Sequence, residues 1–443
     1  MCKLFCVGCC VLLAALVSCG GGDETTPTVT PTTPTGSFVQ EGLPAHISGW
    51  RGQEASVLAY LNDRGRRFAE GLAPVPVDGK WGYINTSGAV AIAAKFNWAC
   101  TFSEGLAAVN AGGTVGPSGL VRGGKWGFID RTGKVAVEPR FEWADPFDNG
   151  LARVQTMGVR HVVYRDKHSE LSSRWGFIDR TGAFVIDPEL RWAEPFHEGL
   201  SAALFGTHWG YIDRAGKTAI APRFLDAGDF HDGRARVRTE NGWGFIDRAG
   251  NVVVEPVYRE VEDFSNGLAV VRVDVKWGYV DTAGRPAIAP QFDRARDFTE
   301  ELARVRMGGK WGFIDTGGKM VIAAEYDAAQ AFAEGRAGVS TGSRRLRLDE
   351  SGKVVGSARW GFIDRTGRAM GTMRFESVGS FREGLAPVKL DGRCGYVDLD
   401  GKIVIPARFD DTYSFADGFA RVRVGGKTAY INRTGGIVWQ ESP

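Results

Sequence analysis

Residues 125–134 read KWGFIDRTGK, and near-copies follow as RWGFIDRTGA from Arg174, KWGYVDTAGR from Lys276, KWGFIDTGGK from Lys310 and RWGFIDRTGR from Arg359. An enzyme needs its chemistry once, so a phrase written this often belongs to a scaffold. The Trp-Gly pair starts at Trp81, Trp126, Trp175, Trp209, Trp243, Trp277, Trp311 and Trp360, and Cys394-Gly395 and Thr428-Ala429 take the next two slots. Successive starts are 34 residues apart, except for intervals of 45, 49 and 49 before Trp126, Trp175 and Trp360. A fixed period in this range marks a stack of repeats, each too small to bury a core alone.

The unit from Trp243, WGFIDRAGNVVVEPVYREVEDFSNGLAVVRVDVK, resolves into three expected strands. These are Trp243 to Asp247, Asn251 to Glu255 ahead of Pro256, and Leu268 to Val273 after the turn residues Asn266-Gly267. An irregular crossing, Tyr258 to Phe264, joins the second to the third. Between the first two strands stands Asp or Asn, from Asn85 to Asn432, with glycine three residues on, from Gly88 to Gly435. Asp or Asn accepts a local backbone N–H at the start of a type I turn, and glycine supplies the positive φ of the bulge that follows. Calcium loops need several alternating carboxylates, and DRTG offers one. Along the first strand, Trp and Phe/Tyr share one face while Gly and Ile share the other. Both faces are apolar, as for a strand covered on both sides. The glycine is expected to make room for the ring of the adjacent repeat.

From Phe38 to Trp439 the chain resembles the WG-repeat (KWG-repeat) proteins of bacteria, since WGFIDRTGK, the Pro-x-Phe crossing and the EGLAxV strand recur together. The resemblance implies a β-rich repeat protein without assigned enzymatic activity, and it supplies no catalytic residues. Cys394 and Thr428 depart from the Trp slot and suggest a looser C-terminal edge. The fold expected is all-β, an array of about ten three-stranded units with partial units at both ends. Ten exceeds the usual four to eight propeller blades. An open, twisted β-solenoid is therefore favoured, with a closed propeller-like ring as the alternative.

The 443 residues are 43% hydrophobic and 24% charged, and the net charge of +2 implies no field for nucleic acid. Of seven cysteines, five lie in the first 19 residues; Cys100 and Cys394 are too few for a disulfide framework. The apolar run Val7 to Val17 is too short for a bilayer span and ends at Leu16-Val17-Ser18-Cys19. This resembles a bacterial lipoprotein signal, which implies cleavage after residue 18 and acylation of Cys19. Gly20 after the cysteine favours the outer membrane or cell surface. Residues 19–37, rich in Gly, Thr and Pro, read as an extended tether, and residues 38–443 as the repeat domain.

Six histidines, His46, His161, His168, His197, His208 and His231, appear scattered, and no HExxH, GxSxG or P-loop is present. Neither enzymatic activity nor a cofactor or metal is expected. Two departures from the repeat are candidate binding features. The position after the crossing aromatic is Trp98, Trp143 and Trp192 in three successive units, where others carry Asp226, Glu260 or Arg294. A slot that accepts charge reads as exposed, so the tryptophans are expected to form an aromatic ladder suited to sugars or protein hot spots. The three insertions lengthen one link and bring Arg160 and Arg345 to one face of the array. The function expected is an envelope scaffold that binds a protein or glycan and meets the membrane only through its lipid. A structural spacer is the alternative, and an enzyme with an unrecognised site a lesser one. Cys19→Ala is expected to abolish acylation and move the protein from the membrane to the soluble or uncleaved fraction. Fractionation with intact-mass analysis checks this; an unacylated wild type that fractionates like the variant would refute it.

Overall fold

A computed structural model describes residues 66–115, 121–157, 173–342, 347–348, 354–355 and 359–442. The signal segment, Cys19, the tether and the N-terminal partial unit lie outside these residues, as do Arg160 and Arg345. The repeating body is a four-stranded antiparallel sheet. In one copy its strands are Asp226–His231, Arg234–Thr239, Gly242–Asp247 and Val252–Tyr258, hydrogen-bonded in chain order. Each sheet thus joins the crossing and third strand of one sequence unit to the first two strands of the next. Nine four-stranded sheets follow a first one of three described strands, Leu72–Val77, Lys80–Asn85 and Val90–Phe96, making ten blades. Adjoining first strands touch, as Asp226–His231 does Glu260–Ser265, so the first strand of each blade is innermost and the fourth forms the rim. The inner strands therefore surround the central axis of the ring.

Both turn types follow from their residues. Asp247 Oδ1 accepts the N–H groups of Ala249 and Asn251, and Gly250 takes φ +86°. In the hairpin between first and second strands, Glu104 and Gly105 both take positive φ, 54° and 81°. That is the geometry of a two-residue type I′ turn, which costs a glutamate some strain. A compensating bond crosses to the next blade, where the Glu104 carboxylate accepts the N–H of Gly150 at 2.9 Å. Glu198 does the same for Gly233 and Glu383 for Gly418.

The WG glycine makes room for something other than the ring expected. A Cβ on Gly127 would lie 2.5 Å from the carbonyl oxygen of Val137, in the outer strand of its own blade. The two strands slip register there, between Trp126 and Phe128, and the close backbone approach needs glycine.

The array is closed. In four places a tyrosine of the WG strand donates to a carbonyl of the next blade's inner strand: Tyr83 to Cys100, Tyr211 to Gly228, Tyr279 to Arg296 and Tyr396 to Tyr413. Tyr430 in the last blade donates to Arg66 beside the first, at 2.7 Å. Phe68 packs on Phe419 and Tyr430 at 4.4 and 5.3 Å between ring centroids. Turn glycines repeat the relation: Gly133 lies against Ile92 and Gly435 against Ile405 of the preceding blade, and Gly88 of the first against Val438 of the last.

The favoured open solenoid is therefore corrected to a ten-bladed ring. The period fixes what stacks but not the rotation per unit, and here equal rotations complete a turn at ten. The looser C-terminal edge is also corrected. Cys394 is buried, and the strands around Thr428, Lys427–Asn432 and Ile437–Gln440, build the closing blade.

Gly88→Ala tests the seam. Its Cβ would fall 1.9 Å from the Val438 carbonyl oxygen, whereas at Gly105, with a similar φ of +81°, nothing lies within 4 Å. Denaturant unfolding is expected to show a loss of about 1 kcal/mol for Gly105→Ala and about 2–3 kcal/mol for Gly88→Ala. Equal losses would mean that the seam is not closed in solution.

Candidate functional site

The three slot tryptophans stand at the start of the inner strands of blades two, three and four: Trp98–Ala99, Trp143–Ala144 and Trp192–Ala193. Each ring packs on the WG tryptophan of the preceding blade, Trp81, Trp126 or Trp175, with centroids 4.9–5.2 Å apart. Trp98 is only 1% exposed, and Trp143 and Trp192 are half-buried. The exposed ladder is corrected: these indoles are mainly blade-to-blade packing. Trp143 Nε1 donates to Asp145 at 2.7 Å and Trp192 Nε1 to Glu194 at 2.8 Å. The Arg153 guanidinium lies over Trp175 and Trp192 at 4.6 and 5.4 Å. Burial opposes its charge, but Asp145 and Glu194, at 2.6 and 3.6 Å, more than offset this and raise its pKa.

Charge at the tryptophan slot is met differently from blade to blade: Glu260 and Arg294 are exposed, whereas Asp226 is buried. Asp226 faces Arg238 across the strand pair, and Glu260 faces and ion-pairs with Arg272. Exposure of this slot varies from blade to blade, so a charged residue at it in one unit did not imply an exposed tryptophan in another.

Both candidate features still fall at one end of the blades. Trp98 pairs with Asn110 just before the hairpin between second and third strands, and the insertions lengthen that hairpin in blades two, three and eight. Two insertions carry small hairpins, Thr114–Val115 with Val121–Arg122 and Arg347–Leu348 with Val354–Val355. All three leave from the same face of the ring. The structure brings Trp143 and Trp192 toward that face; Arg160 and Arg345 belong to insertions lying mostly outside the described residues.

Between blades five and eight the inner interfaces are charged. Arg236 pairs with Asp263 at 3.3 Å, Arg296 pairs with Glu262, and Arg304 donates to the Ala329 carbonyl at 2.6 Å. Asp297 is raised well above the usual carboxylate range, first by burial and then by neighbouring Glu262. The two carboxyls stand close enough that ionising one opposes ionising the other, which favours the protonated form of Asp297.

At the opposite end of the blades, by the first hairpin, sequence reading missed a cluster. His197 of blade four meets Asp229 and His231 of blade five, and one ligand atom from each lies within 4.8 Å of the others. His197 and His231 are one 34-residue period apart, in FHEG and FHDG. That interval was the available signal, and reading the histidines as scattered passed over it.

Asp297 predicts a pH dependence. A carboxyl with a raised folded pKa holds its proton where the unfolded chain, with a value near 4, has lost it. Its contribution to stability is therefore full at low pH and lost as pH rises through the folded value. Asp297→Asn is expected to remove this part of the slope, gaining on wild type in urea midpoint as pH climbs. Parallel wild-type and variant curves would place Asp297 in a solvated, ionised state.

The family described as WG containing repeat matches residues 81–114, 126–158, 175–206, 209–243, 243–277, 277–311, 311–344, 360–394 and 395–427. Comparison with curated proteins gave no match. Among solved structures, a eukaryotic initiation factor is similar at TM-score 0.46 and 11% identity, over 83% of this chain and 95% of that one. Hsv2 of Kluyveromyces lactis gives 0.25 and 12%, over 45% and 71%. Dihydro-heme d1 dehydrogenase NirN in complex with DHE gives 0.32 and 12%, over 65% and 77%. Nine matched segments span more than half of the sequence, and the chain belongs to the WG-repeat family.

Proposed function

We propose that this ring is a non-enzymatic binding scaffold of the bacterial envelope, tethered by acylated Cys19, that takes a protein or glycan partner on its insertion-bearing face. The observation that carries the reading is the placement of all three insertions on one link of the blade, hence on one face. Insertions that served no purpose would be free to fall on either end of a blade, since hairpins at both ends are exposed. Beside them stand half-buried Trp143 and Trp192, each with its indole N–H fixed by a carboxylate, and the sandwiched Arg153. Rigid aromatic groups next to an arginine are common anchors of protein and sugar contacts.

The test grafts the short Gly206-Thr207 link of blade four onto blades two, three and eight of the full chain. Wild type is expected to retain one component of an envelope extract or a glycan panel saturably, and the graft to lose it with its melting temperature nearly unchanged. Retention by the graft would remove the insertions from the binding surface. Inertness of the wild type toward every envelope component and glycan would favour a structural spacer.

A further inference from the structure

We propose that His197, Asp229 and His231 form a binding site for a late first-row divalent metal ion, Zn²⁺ foremost, at the interface of blades four and five. Two imidazoles and one carboxylate are the donor set that such ions prefer. The geometry is close to assembled. His197 Nε2 lies 3.4 Å from Asp229 Oδ2, and ligand atoms about 2.0–2.1 Å from a tetrahedral metal are about 3.3 Å apart. The three ligand atoms lie within 4.8 Å of one another, so small side-chain rotations suffice. The two imidazole rings sit 5.5 Å apart, tilted by 40°. A simple His197–Asp229 ion pair accounts for two of the three groups. It leaves His231 Nε2, which is buried and has no hydrogen-bond partner among the described residues.

The surroundings favour a cation. The basic side chains around this cluster are engaged elsewhere: Arg153 and Arg236 face Asp145, Glu194 and Asp263, Arg214 donates to the Asn149 carbonyl, and Arg234, opposite His231, donates to the Thr282 and Gly233 carbonyls. The Tyr211 hydroxyl donates to the Gly228 carbonyl, next to Asp229, at 2.8 Å and so ties this stretch of the inner strand to blade four. The backbone supplies the rigidity. Each histidine closes the hairpin between first and second strands of its blade, His197 bridging to Leu200 and His231 pairing with Arg234. Both positions are therefore fixed by backbone pairing within their hairpins, and three protein donors leave coordination open for water or for a donor atom of a partner. The site lies at the end of the blades away from the insertions, so it stands or falls independently of the binding face proposed above.

The experiment uses the full chain stripped of metal with a chelator and dialysed against Zn²⁺, with bound metal counted by elemental analysis. One equivalent and a raised melting temperature are expected. Co²⁺ in place of Zn²⁺ is expected to give the intense visible bands of a low-coordinate site, a readout that needs no variant. His197→Ala and His231→Ala should lose the equivalent and the bands, Asp229→Asn should weaken both, and His208→Ala should keep them. Circular dichroism confirms that each variant is folded. No stoichiometric Zn²⁺ and no Co²⁺ bands in wild type would overturn the proposal. Equal binding by folded His197→Ala and His231→Ala chains would also overturn it.

Discussion

One contact recurs at every joint of the ring: the aromatic residue two places after the WG tryptophan packs against the phenylalanine of the next blade's inner strand. Phe128 meets Phe147, Phe245 meets Phe264 and Phe313 meets Phe332, with centroids 4.7–4.9 Å apart. Such pairs contribute about 0.5–1.5 kcal/mol beyond the area they bury. Each ring belongs to a different blade, so no blade completes its core alone. Tyr430 against Phe68 is the same contact made between chain ends, and it turns a row into a ring. An open row would leave one aromatic face bare at each end and need a polar capping unit there. Closure satisfies both ends with the residues already repeated.

Phenylalanine and tyrosine alternate irregularly at this joint, and the difference is chemical. A buried phenol needs a hydrogen-bond partner. Tyr83, Tyr211, Tyr279 and Tyr396 find one in a backbone carbonyl in or beside the next inner strand, and Tyr430 finds one at Arg66 beside the first blade. The carbonyl accepts from beyond its own sheet, because the inner strand has no further strand on its axial side. Inner strands are thereby tied to the aromatic layer, while their charged side chains pair among themselves beside the axis.

Much of this was legible in KWGFIDRTGK. The period gave the blade, and Asp247 with Gly250 gave the turn and its bulge. The expected three-stranded unit is corrected to a four-stranded blade, because the crossing read as irregular pairs with the following strand, as Glu260–Ser265 does with Leu268–Val273, and becomes the inner strand. The closure was not legible, because rotation per unit depends on how far Phe128 and Phe147 hold two sheets apart, not on their spacing in the chain. Trp98 was misplaced because exposure was carried over from other blades: Glu260 is exposed, but Asp226 is buried opposite Arg238, and Trp98 is covered by Trp81. The WG glycine was read correctly as a close approach, but Gly127 meets backbone in its own blade rather than a neighbour's ring. His197 and His231 show the converse. Their one-period interval was visible, yet only the ring shows that equal positions of successive blades touch.

That last point is general to the architecture. In a closed ring every repeated position becomes a circle of side chains, and chemistry arises where neighbouring members of one circle are altered together. The circle before the first hairpin holds Ser103, Asp148, His197, His231, Ser265 and Thr299 in successive blades. Ser103 and Ser265 use it structurally, each donating to the carbonyl of the next blade's phenylalanine, Phe147 and Phe298. The serine that would tie blades four and five in this way is replaced by His197, and its successor by His231, with Asp229 between. The joint gives up a serine-to-carbonyl bond and acquires three metal-ligating groups. The circle at the head of the inner strand is altered in the same manner at Trp98, Trp143 and Trp192, on the other face. Departures from the repeat thus form short arcs on otherwise uniform circles, and the two arcs here stand at opposite ends of the blades.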